Sequence, residues 1–143
     1  MLPADLEISS DPSRIDLDLV YGFLSTAYWA QGRTREAVER SIANSLPFAA
    51  YTSGRQVAFA RVITDRAVFG YLADVFVVSE FRGRGIAKAL IRAIMVHPDL
   101  AGLRTMLLRT VDAHSLYAQF GFVPVINPDE LMARRPGEDS PPI

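Results

Sequence analysis

The sequence predicts one mixed α/β domain, α+β-like in that its strands cluster in the middle of the chain. Three observations predict it. At 143 residues with half of them hydrophobic, the chain has the size and apolar content of a single packed core. Three extended apolar runs follow one another between residues 48 and 78 with only short turns between them. A helix-periodic segment then separates the last of these runs from a fourth, and two strands joined by a helix lie parallel.

The elements read in order as follows. Leu6 to Ser9 reads as a short first strand. Leu17, Val20, Tyr21, Leu24 and Tyr28 keep helical spacing, with Asp16 placed to cap the start. Gly32 interrupts the chain, and Thr34 can cap a second helix that aligns Val38, Ile42 and Leu46 and ends across Asn44 to Pro47. Phe48 to Thr52, Gln56 to Ile63 and Val68 to Val78 are extended, separated by Ser53-Gly54 and Thr64-Asp65-Arg66, which predicts an antiparallel meander. Ala87, Leu90, Ile91 and Ile94 restore helical spacing up to Pro98. Thr105 to Thr110 is the next strand, and Asp112 is positioned to cap a short helix closed by Gly121. Phe122 to Ile126 and Leu131 to Arg134 read as a final antiparallel pair around Asn127-Pro128-Asp129. Residues 1–135 then form one domain, and 136–143, rich in Pro, Gly and acidic residues, a loose tail.

Composition excludes several classes. A net charge of −1 offers no broad basic field for nucleic acid, so any anion site is local. Without cysteine there is no disulfide framework and no thiolate nucleophile, and two histidines make a histidine-built metal site a poor expectation. No apolar run is long enough to span a bilayer, and the N-terminal residues lack the layout of a signal peptide. A cytoplasmic protein with no membrane or nucleic-acid partner is the expectation.

The most informative segment is Val75-Phe76-Val77-Val78-Ser79-Glu80-Phe81-Arg82-Gly83-Arg84-Gly85-Ile86-Ala87-Lys88. An apolar strand enters a turn of glycines and arginines that opens a helix. Backbone N–H groups from Gly83 to Lys88 lack upstream helical partners, and Arg82, Arg84 and Lys88 stand beside them. This collects donors and positive charge where a phosphate can approach a backbone without β-carbons. Two nucleotide motifs fail on their residues. A dinucleotide fingerprint needs glycine or alanine where Lys88 stands, and a P-loop needs Lys after the second glycine, where Ile86 stands.

Arg82-Gly83-Arg84-Gly85-Ile86-Ala87 resembles the pyrophosphate signature Gln/Arg-x-x-Gly-x-Gly/Ala of the GNAT superfamily of acyl-CoA-dependent N-acetyltransferases. Downstream, Ala113-His114-Ser115-Leu116-Tyr117-Ala118-Gln119-Phe120-Gly121-Phe122 resembles that family's Ala-x-x-Leu-Tyr-x-x-x-Gly-Phe segment. The order of elements agrees over nearly the whole chain. The chain departs from the family at Thr110, where many members carry asparagine.

The resemblance implies a mixed, mostly antiparallel sheet with one central parallel, splayed strand pair flanked by helices. It implies acetyl-CoA as cosubstrate, with no metal, held by residues 82–88 together with Thr110 and Tyr117. The backbone of Val75, Phe76 and Val77 would pair with the pantetheine arm, and an N–H of Phe76 or Val77 would polarise the thioester carbonyl. Tyr117 matches the residue that protonates the departing thiolate. Asp74 occupies a position where several members carry a carboxylate, and it reads either as the general base or as a structural hydrogen-bond acceptor. His114 or a water chain could serve as the base instead. Tyr28 and Trp29 lie in the segment that walls the acceptor site, and a tryptophan beside Gly32 suits a mobile aromatic lid.

The implied reaction is direct transfer of acetyl to a primary amine. Polyamine, amino acid, aminoglycoside, peptide N-terminus and protein lysine all fit as the acceptor. The alternative is a non-catalytic acyl-CoA-binding or interaction module of the same fold. The resemblance also leaves room for a homodimer, with a strand around Leu131 to Arg134 pairing across subunits.

Overall fold

A computed structural model describes residues 1–137 of the chain. The elements run β1 (Glu7–Ser9), α1 (Leu17–Leu24), α2 (Arg35–Ala43), β2 (Leu46–Thr52), β3 (Arg55–Thr64), β4 (Phe69–Val77), α3 (Ile86–Val96), β5 (Thr105–Leu108) and α4 (His114–Ala118). Two of the three helix starts read from hydroxyl or carboxylate residues form as local chemistry dictates. Asp16 accepts from Leu19 N–H at 3.1 Å and Thr34 Oγ1 from Ala37 N–H at 3.0 Å, each satisfying a first-turn donor.

The strands form one five-stranded sheet in chain order, antiparallel from β1 to β4 and parallel between β4 and β5. Helices cover both faces. On one, α3 buries Ile86, Leu90, Ile91 and Ile94. The strands beneath it present small side chains, Ala58 and Ala60 of β3, which lets the helix approach closely. Gly70 of β4 belongs to the same packing, since a β-carbon there would come within 2.9 Å of Leu103 Cδ1. On the other face Phe23 of α1 stacks flat on Phe76 of β4, ring centroids 4.0 Å apart, and Phe59 of β3 packs beside them at 5.9 Å.

Several expectations need correction. Helix α1 stops at Leu24, and Tyr28 falls in a separate 3-10 turn, Tyr28–Ala30. Pro47 belongs to β2, opposite Arg61. It lies beyond the end of β1, where its missing N–H removes no ladder bond on that side. Ala113, not Asp112, is the N-cap residue of α4, and the Oγ1 of Thr110 accepts the Ala113 N–H at 3.0 Å. The final strand pair does not form. Residues 122–137 hold only a 3-10 turn at Pro128–Glu130, and Val123, Ile126 and Met132 are exposed. The parallel pair β4–β5 therefore stands at the edge of the sheet rather than its centre. Of the tail, residues 138–143 lie outside the described residues.

Candidate functional site

The site begins with a count of residues across two strands. Phe59 pairs with Phe76 and Arg61 with Ala73, so Asp74 and Val75 together face the single residue Ala60. This is a β-bulge, and Asp74 carries it with φ of +57°, a left-handed conformation that aspartate tolerates better than most residues. On the other side, β4 pairs with β5 only as far as Leu72 and Leu108. Beyond that point the strands diverge. A cleft of about 340 Å³ opens between Ala73-Asp74-Val75 and Arg109-Thr110-Val111.

The bulge also sets which backbone groups face the cleft. Val78 donates to Val57 O at 2.9 Å, so the directly opposed pairs alternate from there. Phe59 and Phe76 then form a hydrogen-bonded pair, and Phe76 N–H turns toward β3. Val77, opposite Ala58, turns its N–H and carbonyl away from β3, to the open side. The side chain of Arg82 confirms that direction by donating from Nε to Val77 O at 3.2 Å. Of the two N–H groups expected for polarising a carbonyl, the one facing the opening is that of Val77.

Asp74 is buried and fully engaged. Its Oδ1 accepts from Trp29 Nε1 at 3.0 Å and Arg33 Nη1 at 2.9 Å, and its Oδ2 from Arg33 Nη1 at 2.8 Å and Arg61 Nε at 2.7 Å. Burial by itself would raise the carboxyl pKa, but the charges and hydrogen bonds of Arg61 and then Arg33 outweigh it and hold it below the usual carboxylate range. A carboxylate so stabilised is a weak base, and its geometry matches the structural-acceptor reading. Trp29 is partly buried and tied to Asp74, which fits an anchored wall better than a mobile lid. Tyr28, half exposed, lines the same cleft and meets Trp29 edge to face at 5.3 Å.

The glycine turn adopts the conformation that its residues permit. Gly83 and Gly85 have φ of +76° and +81°, and Gly85 is the left-handed N-cap of α3. Among the described residues no acceptor takes the N–H groups of 83–88. The side chains of Arg82, Arg84 and Lys88 are exposed around them. Arg84 rests over the Phe81 ring at 4.9 Å, which directs it along the turn.

Tyr117 is buried in α4 and lines the cleft, packed edge to face on Phe122 at 5.9 Å. Burial, and then the charge of Asp112, push its phenol pKa up to about 12. Thr110 lines the cleft with its oxygen committed to Ala113 N–H and its O–H still able to donate. His114 is exposed at the start of α4 and does not line the cleft. Arg33, Arg61, Tyr71 and Arg109 line the cleft too. Arg61 stands inside an apolar strand, where an arginine calls for a buried partner, and that partner is Asp74.

A parallel pair that diverges, a turn of N–H groups without acceptors at the mouth of the following helix and a buried tyrosine lining the cleft make up the candidate site. The model of the GNAT acetyltransferase domain matches residues 43–124. The chain belongs to that family. A Xanthomonas campestris protein described as a candidate GNAT acetyltransferase is 48% identical, with TM-score 0.92 over 98% of this chain and 99% of that one. A Gibberella zeae protein, FG08082, also named as a candidate acetyltransferase, is 29% identical over 77% of this chain and 75% of its own. A Clostridium acetobutylicum protein solved with acetyl-CoA shares the fold at TM-score 0.67 and 16% identity, over 91% and 96% of the two chains.

Proposed function

We propose that the chain is an N-acetyltransferase that passes the acetyl group of acetyl-CoA directly to a primary amine. The observation that carries this reading is the row of backbone N–H groups without acceptors at 83–88, at the mouth of α3 and following β4, the strand whose residues 73–75 line the cleft with Tyr117. Those donors, the α3 dipole and the three cations suit a diphosphate. The open side of β4 suits an extended arm laid along it, and Val77 N–H is the donor available to an oxyanion.

The chemistry moves protons at two centres, the amine nitrogen and the leaving sulfur. The amine nitrogen forms a bond to the thioester carbonyl carbon and the carbon–sulfur bond breaks. The phenol of Tyr117, protonated throughout the neutral range, gives its proton to the leaving sulfur and regains one from the nitrogen as the amide forms. An alkyl amine, with a pKa of about 10, must lose a proton before attack. Asp74 is committed to Arg33 and Arg61, so this proton leaves through water, with Asp112 the cleft carboxylate outside that ion-pair network. No cysteine exists to carry an acyl-enzyme, which favours a ternary complex.

The engaged state of Asp74 is also the observation that favours the rival reading, an acyl-CoA-binding module without turnover. One assay separates the two. Acetyl-CoA should raise the thermal midpoint by mass action, and a panel of primary amines should release free CoA thiol. Stabilisation without thiol release from any amine establishes the binding module, and the absence of both rejects the site itself.

A further inference from the structure

Two arginines share one carboxylate in the wall of the cleft, and the ion pair leaves positive charge that the network does not neutralise. Arg33 gives only Nη1 to Asp74. Arg61 gives Nε to Asp74 and Nη1 to Ser45 Oγ at 3.0 Å. Among the described residues nothing accepts from Nε and Nη2 of Arg33 or from Nη2 of Arg61. Yet among the described residues no buried side-chain nitrogen lacks a partner, so these N–H groups are not sealed from solvent. Both side chains line the cleft, 31% and 10% exposed respectively, against 1% for Asp74.

Position distinguishes this pair from ordinary surface arginines. A guanidinium as enclosed as that of Arg61 is costly unless charge and hydrogen bonds compensate it, and one carboxylate cannot compensate two guanidiniums. Asp112 lines the same cleft but pairs with neither arginine, and their remaining charge faces a concave space walled by Tyr28, Trp29, Tyr71 and Ile63, which suits a small organic molecule. A polycation would meet repulsion there. An anionic group would meet planar N–H donors of the kind that grip carboxylates and phosphates.

We infer, resting on the transferase reading, that the acceptor is a small amine bearing its own carboxylate or phosphate, which docks on the free N–H groups of Arg33 and Arg61. The anion is held at the arginines and the amine is left to reach the opening beside Val77. Arg33 is thereby a specificity-determining residue.

The test uses the whole protein with acetyl-CoA and four sets of amines: amino acids, their carboxamides, aminoalkyl phosphates and polyamines. The two anionic sets tell carboxylate from phosphate. Charge-assisted hydrogen bonds predict that the preferred anionic set exceeds its neutral counterpart by about tenfold or more in kcat/KM, with polyamines poorest. Arg33→Gln should raise KM for the anionic amines far more than for the neutral amides, with kcat for the two sets moving together, so that the preference collapses. Arg33→Lys should restore part of it. Stabilisation by acetyl-CoA, measured on each variant, checks that the fold and cosubstrate site survive. Neutral amines or polyamines accepted as readily as anionic ones, or a preference that persists in Arg33→Gln, overturn the inference and leave the transferase reading standing. Acetyl-CoA that neither binds nor reacts with any amine removes both.

Discussion

Arg61 Nε lies 2.7 Å from Asp74 Oδ2, and the two residues meet where β4 carries one more residue than β3 can match. The ion pair and the bulge depend on each other. The bulge turns Asp74 into a left-handed conformation that brings its carboxylate to Arg61, and the pair holds the residue there. The same bulge lies where β4 leaves β5. The ion pair therefore braces the opening through which a ligand would enter.

Asp74→Asn tests this brace. Asparagine accepts the left-handed backbone, so the change removes charge while keeping the conformation. It leaves Arg61 nearly buried without a counter-charge, and breaking a buried pair in this way costs about 3–5 kcal/mol. Denaturant midpoints at neutral pH should show that loss. Because the folded pKa of Asp74 lies below its unfolded value of 3.8, its contribution is complete above that pH and fades as pH falls through the folded value. The gap between wild type and Asp74→Asn should thus begin to narrow below about pH 4 and go on narrowing as pH falls further. A gap that stays constant down to the acid transition would mean the pair does not carry the stability assigned to it.

Tyr117→Phe should lower turnover by about 10²- to 10⁴-fold while acetyl-CoA binding persists, because only the proton donor is removed. With its pKa pushed up to about 12, the Tyr117 phenol does not ionise in the working range. Rates followed from pH 7 to 10 should therefore show no fall attributable to this group. A falling alkaline limb in that range that disappears in Tyr117→Phe would contradict the assignment.

How legible these features were follows the distance over which each is determined. The caps at Asp16 and Thr34 and the left-handed Gly83 and Gly85 depend on residues within a turn or two, and their local chemistry identified them. The cap of α4 was misread because Thr110 and Asp112 stand two residues apart and both can accept; the hydroxyl of Thr110 reaches Ala113 N–H. The bulge at Asp74 and its pairing with Arg33 and Arg61 arise from strand register and from residues 41 and 13 positions away. No local pattern encodes them. The final strands failed for another reason: Val123, Val125, Leu131 and Met132 have strand-like composition, but composition alone does not make a segment pair, and these side chains stay exposed.

Gly85→Ala separates backbone strain from crowding. A β-carbon there would meet only Leu2, at 3.6 Å, an ordinary contact, so the penalty comes from φ of +81°. Holding alanine in that region costs about 1–2 kcal/mol. If α3 instead relaxes its first turn, the N–H groups of Ile86 and Ala87 re-aim. A modest fall in thermal midpoint together with a large rise in the Kd for CoA is the expected result. An unchanged Kd would show that the diphosphate does not use this turn.

Thr110→Val keeps the shape of the side chain and removes the oxygen that accepts Ala113 N–H. The loss of a cap-like hydrogen bond costs about 1 kcal/mol. Its effect on rate should exceed its effect on stability, for a geometric reason. Helix α4 is only His114–Ala118, too short to hold its own axis, and Tyr117 is in its final turn. A small rotation at Ala113 therefore displaces the phenol at the far end of the cleft, and proton transfer requires the donor to stay within hydrogen-bond reach of the sulfur. Thr110→Ser keeps the accepting oxygen and should restore most of the rate. If valine and serine behave alike, the Thr110 hydroxyl neither positions Tyr117 nor contacts the ligand.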